Sequence, residues 1–190
     1  MLTTALKAKK CRHCKSVFMP TRPMQVVCGG MCGLERARIK REAEAKKAKA
    51  AEAKKDRAAA EDAKTVTDLK AEAQKEVNAF VRARDHGLPC ISCGKAWQPD
   101  FQAGHYRSRG AAGHLALDPR NIHGQCIQCN LHKHSNAVEY RIRLVERCGL
   151  ALVEALECDN EPLKLDRDTL RQIKTIYRAK LRDLKKSQSF

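Results

Sequence analysis

RNIHGQCIQCNLHKHSNAVEYR, residues 120–141, is the stretch on which the reading of this chain turns. Two cysteines in a Cys-x2-Cys pair, Cys126 and Cys129, follow an Asn-Ile-His step and are followed at once by Asn130. Upstream, NAFVRARDHGLPCISCG (78–94) holds a second pair, Cys90 and Cys93, and AGHYRSRGA (103–111) lies between the two pairs. Nothing in the chain suggests export. In a reducing compartment, paired thiols of this kind bind zinc rather than form disulfides, because Cys-x2-Cys offers two thiolates to one tetrahedral ion. Residues 77–135 therefore read as a compact module stapled by zinc.

The same logic applies at the start of the chain, where Cys11-x2-Cys14-x13-Cys28-x3-Cys32 has a zinc-ribbon or treble-clef spacing and a helix is expected just after the last cysteine. Two structural zinc ions thus account for eight of the ten cysteines. The other two, Cys148 and Cys158, sit in helical sequence and read as small core hydrophobes. Residues 1–33 carry six basic residues and no acid. Lys9, Lys10, Arg12 and Lys15 surround the cluster, so the knuckle could grip a nucleic-acid backbone through counterion release. It could equally cap the following helix or dock a protein.

Composition explains why staples are needed. The chain has 190 residues, 43% hydrophobic by type, yet much of that fraction is alanine and only 4% is aromatic. Small domains that bury little apolar surface need metals, disulfides or partners. The net charge of +16 favours a polyanionic partner. No apolar run approaches the length of a membrane span, and Met1-Leu2-Thr3-Thr4 is too short and polar for a signal peptide, so a soluble, cytoplasmic protein is expected.

Residues 34–76 are almost entirely Ala, Lys/Arg and Asp/Glu without Gly or Pro, which predicts a long helix spanning roughly 65 Å. Ile39, Val66 and Leu69 are too sparse for a heptad seam, so the segment reads as a solvated spacer in preference to a dimerising coiled coil. Val77, Phe80 and Val81 give that helix an apolar end, and Gly87 with Pro89 stops it. Residues 136–190 show two further helical periods, broken near Gly149, with Asp166 or Asp168 able to cap the last one. These helices complete the module's core or pair two subunits into a homodimer.

The order C-x2-C, His, N-I-x-x-x-C-x-x-C-N-x-x-K resembles the HNH nucleases of the ββα-metal class. The full set of motifs, from the basic four-cysteine start through the Ala/Lys/Glu-rich arm to the helical tail, resembles the NinG (Rap) family of lambdoid phages. The resemblance implies an α+β fold: a small HNH-like module wrapped by helices, preceded by the long helix and the N-terminal knuckle. It also implies recombination in the host cytoplasm and cleavage of branched double-stranded DNA, such as Holliday junctions and D-loops. Hydrolysing a phosphodiester needs an activated water and positive charge against the developing oxyanions. A neutral imidazole suits the first task, and His105 is the expected base. By resemblance to the class, Asn130 opens a helix and offers an oxygen to a catalytic Mg2+ or Mn2+, Asn121 holds the loop and orients His105, and His123 joins the catalytic group. Arg107, Arg109 and Lys133 are placed to meet phosphates.

One position departs from the class. Many of its members carry an acid immediately before the catalytic histidine, where this chain has Gly104. Gln102, Asp100, His123, His132 and His134 are the other donors nearby. The departure keeps two further readings open, a non-catalytic zinc-binding adaptor for branched DNA and an RNA-binding zinc protein. The scarcity of aromatics favours recognition of duplex backbone over stacking on single strands.

Overall fold

The computed structural model describes residues 6–187. The expectation about a signal peptide falls on residues 1–4 and lies outside them. The fold is mixed α+β and mostly helical, in two compact units, Met1–Ala63 and Lys64–Phe190. No helix among the described residues is long and apolar enough to cross a membrane.

In the first unit a two-residue hairpin, β1 (Lys9–Lys10) and β2 (Val17–Phe18), pairs Lys9 with Phe18 and Lys10 with Val17. Its turn carries Cys11 and Cys14 and closes through the Lys15 amide on the Cys11 carbonyl, with Lys15 in the left-handed region at φ 66°. Helix α1 (Gly30–Ala63) starts earlier than expected, so Cys32 lies inside its first turn rather than before it. No residue of α1 is buried within this chain. Its exposed pairs, such as Arg38 with Glu35 and Glu42, are screened by solvent and contribute little to stability.

The single long helix expected through residue 84 is instead two. Thr65 caps α2 (Val66–Arg84): its hydroxyl accepts the Asp68 amide at 3.2 Å, while the Asp68 carboxylate accepts the Thr65 amide at 3.0 Å. This capping box satisfies helix-start donors that an uninterrupted helix would not leave open. Its consequence is a shifted boundary. Leu69 and Ala73, assigned from sequence to the spacer, join Val77 and Val81 as a buried stripe at four-residue spacing. The second unit therefore begins near Lys64.

That stripe packs on a β-hairpin, β3 (Gln102–His105) and β4 (Ile122–Gln125), and on α5 (Arg167–Ser187); Leu117, Ile122 and Leu170 complete this cluster. The hairpin is antiparallel, pairing Gln102 with Gln125, Ala103 with Gly124, Gly104 with His123 and His105 with Ile122. Side chains alternate between faces along a strand, so Ala103, which packs on the α2 cluster, shares its face with His105. Gln102 and Gly104 lie on the other face. A second cluster of Ile91, Leu115, Tyr140, Leu144, Val153 and Leu156 joins the hairpin region to α3 (Ala137–Cys148) and α4 (Leu150–Cys158).

The chain breaks between α3 and α4 at Gly149, whose φ of 87° suits glycine. Asp166 caps α5 by accepting the Thr169 amide at 2.7 Å. The core role expected for the two lone cysteines holds for Cys148, which packs against the second cluster, but not for Cys158, which is exposed.

Candidate functional site

Each four-cysteine set is gathered, with its sulfurs all within 4.8 Å of one another. A tetrahedral zinc with bonds of about 2.3 Å needs sulfurs roughly 3.8 Å apart. The Cys14–Cys28 and Cys28–Cys32 separations are 3.5 Å, and Cys93–Cys126 is 3.8 Å, so both sets fit a structural zinc ion. Contact with Cys32 and Cys14 pushes the Cys28 thiol up to about 12, and burial among its neighbours pushes Cys129 up as well. Four thiols this close can ionise together only around a cation. The second set joins the turn before β3 to the turn after β4 and pins the two ends of the hairpin.

Edge strand β3 borders a cleft of about 490 Å3, lined by Asn78 and Arg82 of α2, Gln102, Ala103 and His105 of β3, Ser108 and Arg109 of the following loop, and Asn130, Leu131 and Ser135 beyond the second cysteine pair. The structure thus brings His105, Asn130 and Arg109 together, along with Gln102. Asn130 donates its amide to the Gln102 side-chain oxygen at 2.6 Å. His105 Nε2 lies 3.0 Å from the Ala116 carbonyl, an atom that can only accept, so Nε2 carries the proton and Nδ1 keeps its lone pair. Burial holds the His105 pKa below the ordinary 6.5, and the charge of Arg109 acts in the same direction. The imidazole is therefore neutral at physiological pH.

Asn121 is fully buried and fastens the loop between the strands. Its Oδ1 accepts the Arg107 amide at 2.8 Å, and its Nδ2 donates to the carbonyls of Arg107 at 2.9 Å and Leu115 at 3.2 Å. Ala116, the partner of His105, is the next residue, so Asn121 acts on His105 through the backbone and is a positioning residue.

Three expectations are corrected here. His123 does not line the cleft: it is 4% exposed, lies on the opposite face of the hairpin from His105, and meets the Tyr140 hydroxyl at 3.1 Å. Burial, with Arg84 adding to it, lowers its pKa to about 4. Arg107 is spent within the protein, because its guanidinium donates to the carbonyls of Leu156 at 2.8 Å and Asp159 at 2.5 Å and to Asn160 Oδ1 at 2.9 Å, closing the end of α4. Asn130 does not open a regular helix. It lies in one π-helical turn, Gln128–His132, after which His134, Ser135 and Asn136 all take positive φ before α3 begins.

The cause of that break is the Ser135 carbonyl, which accepts from both the Gln125 amide at 2.6 Å and the Ser92 hydroxyl at 3.0 Å. Lys133, His132 and His134 are left exposed on the irregular turn, and neither they nor Asp100 line the cleft. Of the N-terminal cations, Lys9 donates to the Pro23 carbonyl and Lys15 to that of Arg12, while Lys10 and Arg12 are exposed.

Gly104 has a steric explanation. A Cβ there would lie 1.9 Å from Gln125 Oε1, and the Gly104 carbonyl accepts the buried Tyr140 hydroxyl at 3.0 Å. The place that an acid would occupy is filled by Gln125. Sequence reasoning missed Asn78 and Arg82, because nothing local marks which side of α2 faces β3.

The family model described as Bacteriophage Lambda NinG protein matches residues 3–188. Over 118 residues, 62% of this chain, it is 48% identical to Protein ninG of Salmonella phage P22, 46% identical to that of Escherichia phage 933W and 44% identical to that of Escherichia phage lambda. The matched segment spans 58–59% of the length of those relatives. No solved structure matches the chain. With the family model covering nearly every residue, this chain belongs to the NinG family of bacteriophage proteins.

Proposed function

We propose that the protein is a metal-dependent endonuclease that hydrolyses phosphodiesters in branched DNA during phage recombination, through an HNH-like module. The observation that carries this reading is His105. It is a neutral imidazole with Nε2 committed to a carbonyl and Nδ1 free to accept a proton, in a cleft that also holds Arg82, Arg109 and the paired amides of Gln102 and Asn130. His105 takes a proton from the attacking water. Arg82 and Arg109 neutralise the non-bridging oxygens as charge develops on them. Asn121 keeps the Ala116 carbonyl, and so the imidazole, in place.

A divalent cation would find side-chain oxygens at Asn130 and Gln102, a hard donor set that suits Mg2+ or Mn2+. No carboxylate lines the cleft among the described residues, so the anionic ligand has to be the substrate phosphate. The residues fit a cation that arrives with DNA. When bound, it would supply Lewis-acid stabilisation of the phosphate and the leaving group.

The test is cleavage of a synthetic four-way junction and a D-loop against linear duplex, with Mg2+ or Mn2+, by wild type and His105→Ala at equal zinc content. Junction-selective cutting by wild type alone is expected, and equal cutting by the variant would sink the assignment. The absence of a cleft carboxylate favours a second reading, a non-catalytic adaptor. That reading requires selective junction binding with no cutting under either metal.

A further inference from the structure

The cleft at His105 continues past Arg109. A second depression of about 410 Å3 shares that residue and is lined by Thr67, Lys70, Ala71 and Gln74 of α2, with Gly110 and Ala116 across from them. Together the two form a groove whose long wall is one polar face of α2: Thr67, Lys70, Gln74, Asn78 and Arg82, at the three- and four-residue spacing that aligns side chains on a helix.

Charge on α2 is sorted between its faces. Glu72 accepts Lys174 at 2.6 Å and Lys64 at 2.7 Å, which hold its carboxyl down at about 2, and Glu76 accepts Arg178 at 2.6 Å. Asp68 is committed to the cap at Thr65. Glu72 and Glu76 are thus paired with cations outside the helix and Asp68 is held at the cap, whereas the groove is lined by Lys70, Arg82 and Arg109 and, among the described residues, by no carboxylate. Its floor is also built. Gln74, 7% exposed, donates its amide to Asn78 Oδ1 at 2.8 Å, which turns the Asn78 NH2 outward as a donor. Cations and amide donors without competing carboxylates match the non-bridging oxygens of a phosphodiester chain.

We propose that this face of α2, with Arg109, is a track for one backbone strand of a duplex DNA arm, leading that strand to the His105 cleft. The proposal deepens the nuclease reading and rests on it only for where the strand leads. Lys70 and Arg82 are twelve residues apart, about 18 Å along the helix, which is the rise of roughly five nucleotides of B-form DNA. The segment read from sequence as part of a solvated spacer therefore supplies a wall of the substrate groove.

The experiment is anisotropy binding of a fluorescent four-way junction to the zinc-loaded full chain without Mg2+ or Mn2+, so that no cutting intervenes, over a salt series. The variant Lys70→Gln/Arg82→Gln is compared with Lys180→Gln/Lys186→Gln, which removes the same charge from exposed positions of α5. All four side chains are exposed, and retained zinc content and unfolding temperature check that both variants fold. Each phosphate contact contributes about 0.9 to the slope of log affinity against log salt, so the α2 variant should lower the slope by about 1.8 and the α5 variant by less than half of that. Equal slopes for the two variants, or a wild-type slope for the α2 variant, would overturn the track. A junction that is bound with this slope change but never cut with either metal leaves the track standing and removes the nuclease reading. A junction that is cut while the slope stays unchanged does the reverse.

Discussion

Replacing Gly104 by alanine adds one methyl group at a place where the structure has no room for it. The new carbon would sit 1.9 Å from Gln125 Oε1, 2.9 Å from its Cδ and 3.0 Å from its Cβ. Gln125 is fully buried and cannot swing aside freely, because its Nε2 donates to Ser92 Oγ and to the Ser135 carbonyl, both at 2.6 Å. Its Oε1 is buried with no hydrogen-bond partner among the described residues and occupies the space a Cβ at position 104 would need. Overpacking a tight site costs about 1–3 kcal/mol. Displacing the amide also forfeits two buried hydrogen bonds worth roughly 1 kcal/mol each. Gly104→Ala should therefore destabilise the second unit by roughly 3–5 kcal/mol, a fall of about 10–20 °C in its unfolding temperature for a domain of this size. The assay is thermal unfolding of the zinc-loaded protein in a double-mutant cycle with Gln125→Ala. With the obstructing side chain removed, the added methyl should cost less than about 1 kcal/mol. A Gly104→Ala penalty that is equally large in the Gln125→Ala background, or a wild-type unfolding temperature for Gly104→Ala itself, would refute the steric account. The same account predicts that Gly104→Asp gains no metal affinity unless Gln125 is shortened as well.

Other perturbations separate structural from chemical roles. His123 has a folded pKa lowered to about 4, so the unfolded chain binds the proton first; stability from this group is complete above about pH 6.5 and is lost as pH falls toward 4, amounting to about 3 kcal/mol. Urea unfolding at pH 7.5 and pH 5 should show a larger acid loss for wild type than for His123→Asn, a difference that sets this group apart from acid release of zinc. Arg107→Ala should lower stability by about 2–4 kcal/mol through the unclosed end of α4, while the salt slope of DNA binding stays at the wild-type value; a slope reduced by about 0.9 would restore the phosphate role. Thr65→Ala should cost about 1 kcal/mol through loss of the cap, read from denaturant unfolding of the full chain. A strong chelator should melt both cysteine clusters and abolish near-ultraviolet dichroism of the second unit, with recovery on adding zinc, because thiolate–metal bonding is folding energy in modules this small.

Much of the fold was legible because its signals are local. Cys-x2-Cys spacing marks ligand pairs, Gly149 marks a helix break, and Asp166 or Asp168 marks a helix start. The break before α2 was equally local, in Thr65-Val66-Thr67-Asp68, but the surrounding Ala/Lys/Glu composition is so uniformly helical that the capping box is easily passed over. Leu69 was misplaced for a related reason: one leucine among alanines gives no stripe until Ala73, Val77 and Val81 are seen to share its face. The irregular turn after Asn130 could not be read at all, since it is held by the buried Gln125 of β4 and by Ser92, which is distant from it in sequence.

For the site, residue chemistry pointed to His105 and Arg109 and the resemblance to the HNH class to Asn121 and Asn130, but only three-dimensional placement sorted them from His123 and Arg107. A histidine's chemistry depends on its burial and on which ring nitrogen is already bonded, and an arginine's on whether nearer carbonyls have claimed it. Composition and spacing alone determined two four-cysteine clusters able to hold metal, a coreless helix and an excess of positive charge, because those are properties of chain order. Which face of α2 looks into the cleft, why position 104 has no side chain, and which cations remain free for a phosphate were decided by tertiary packing, where residues far apart in the chain compete for the same hydrogen bonds and the same space.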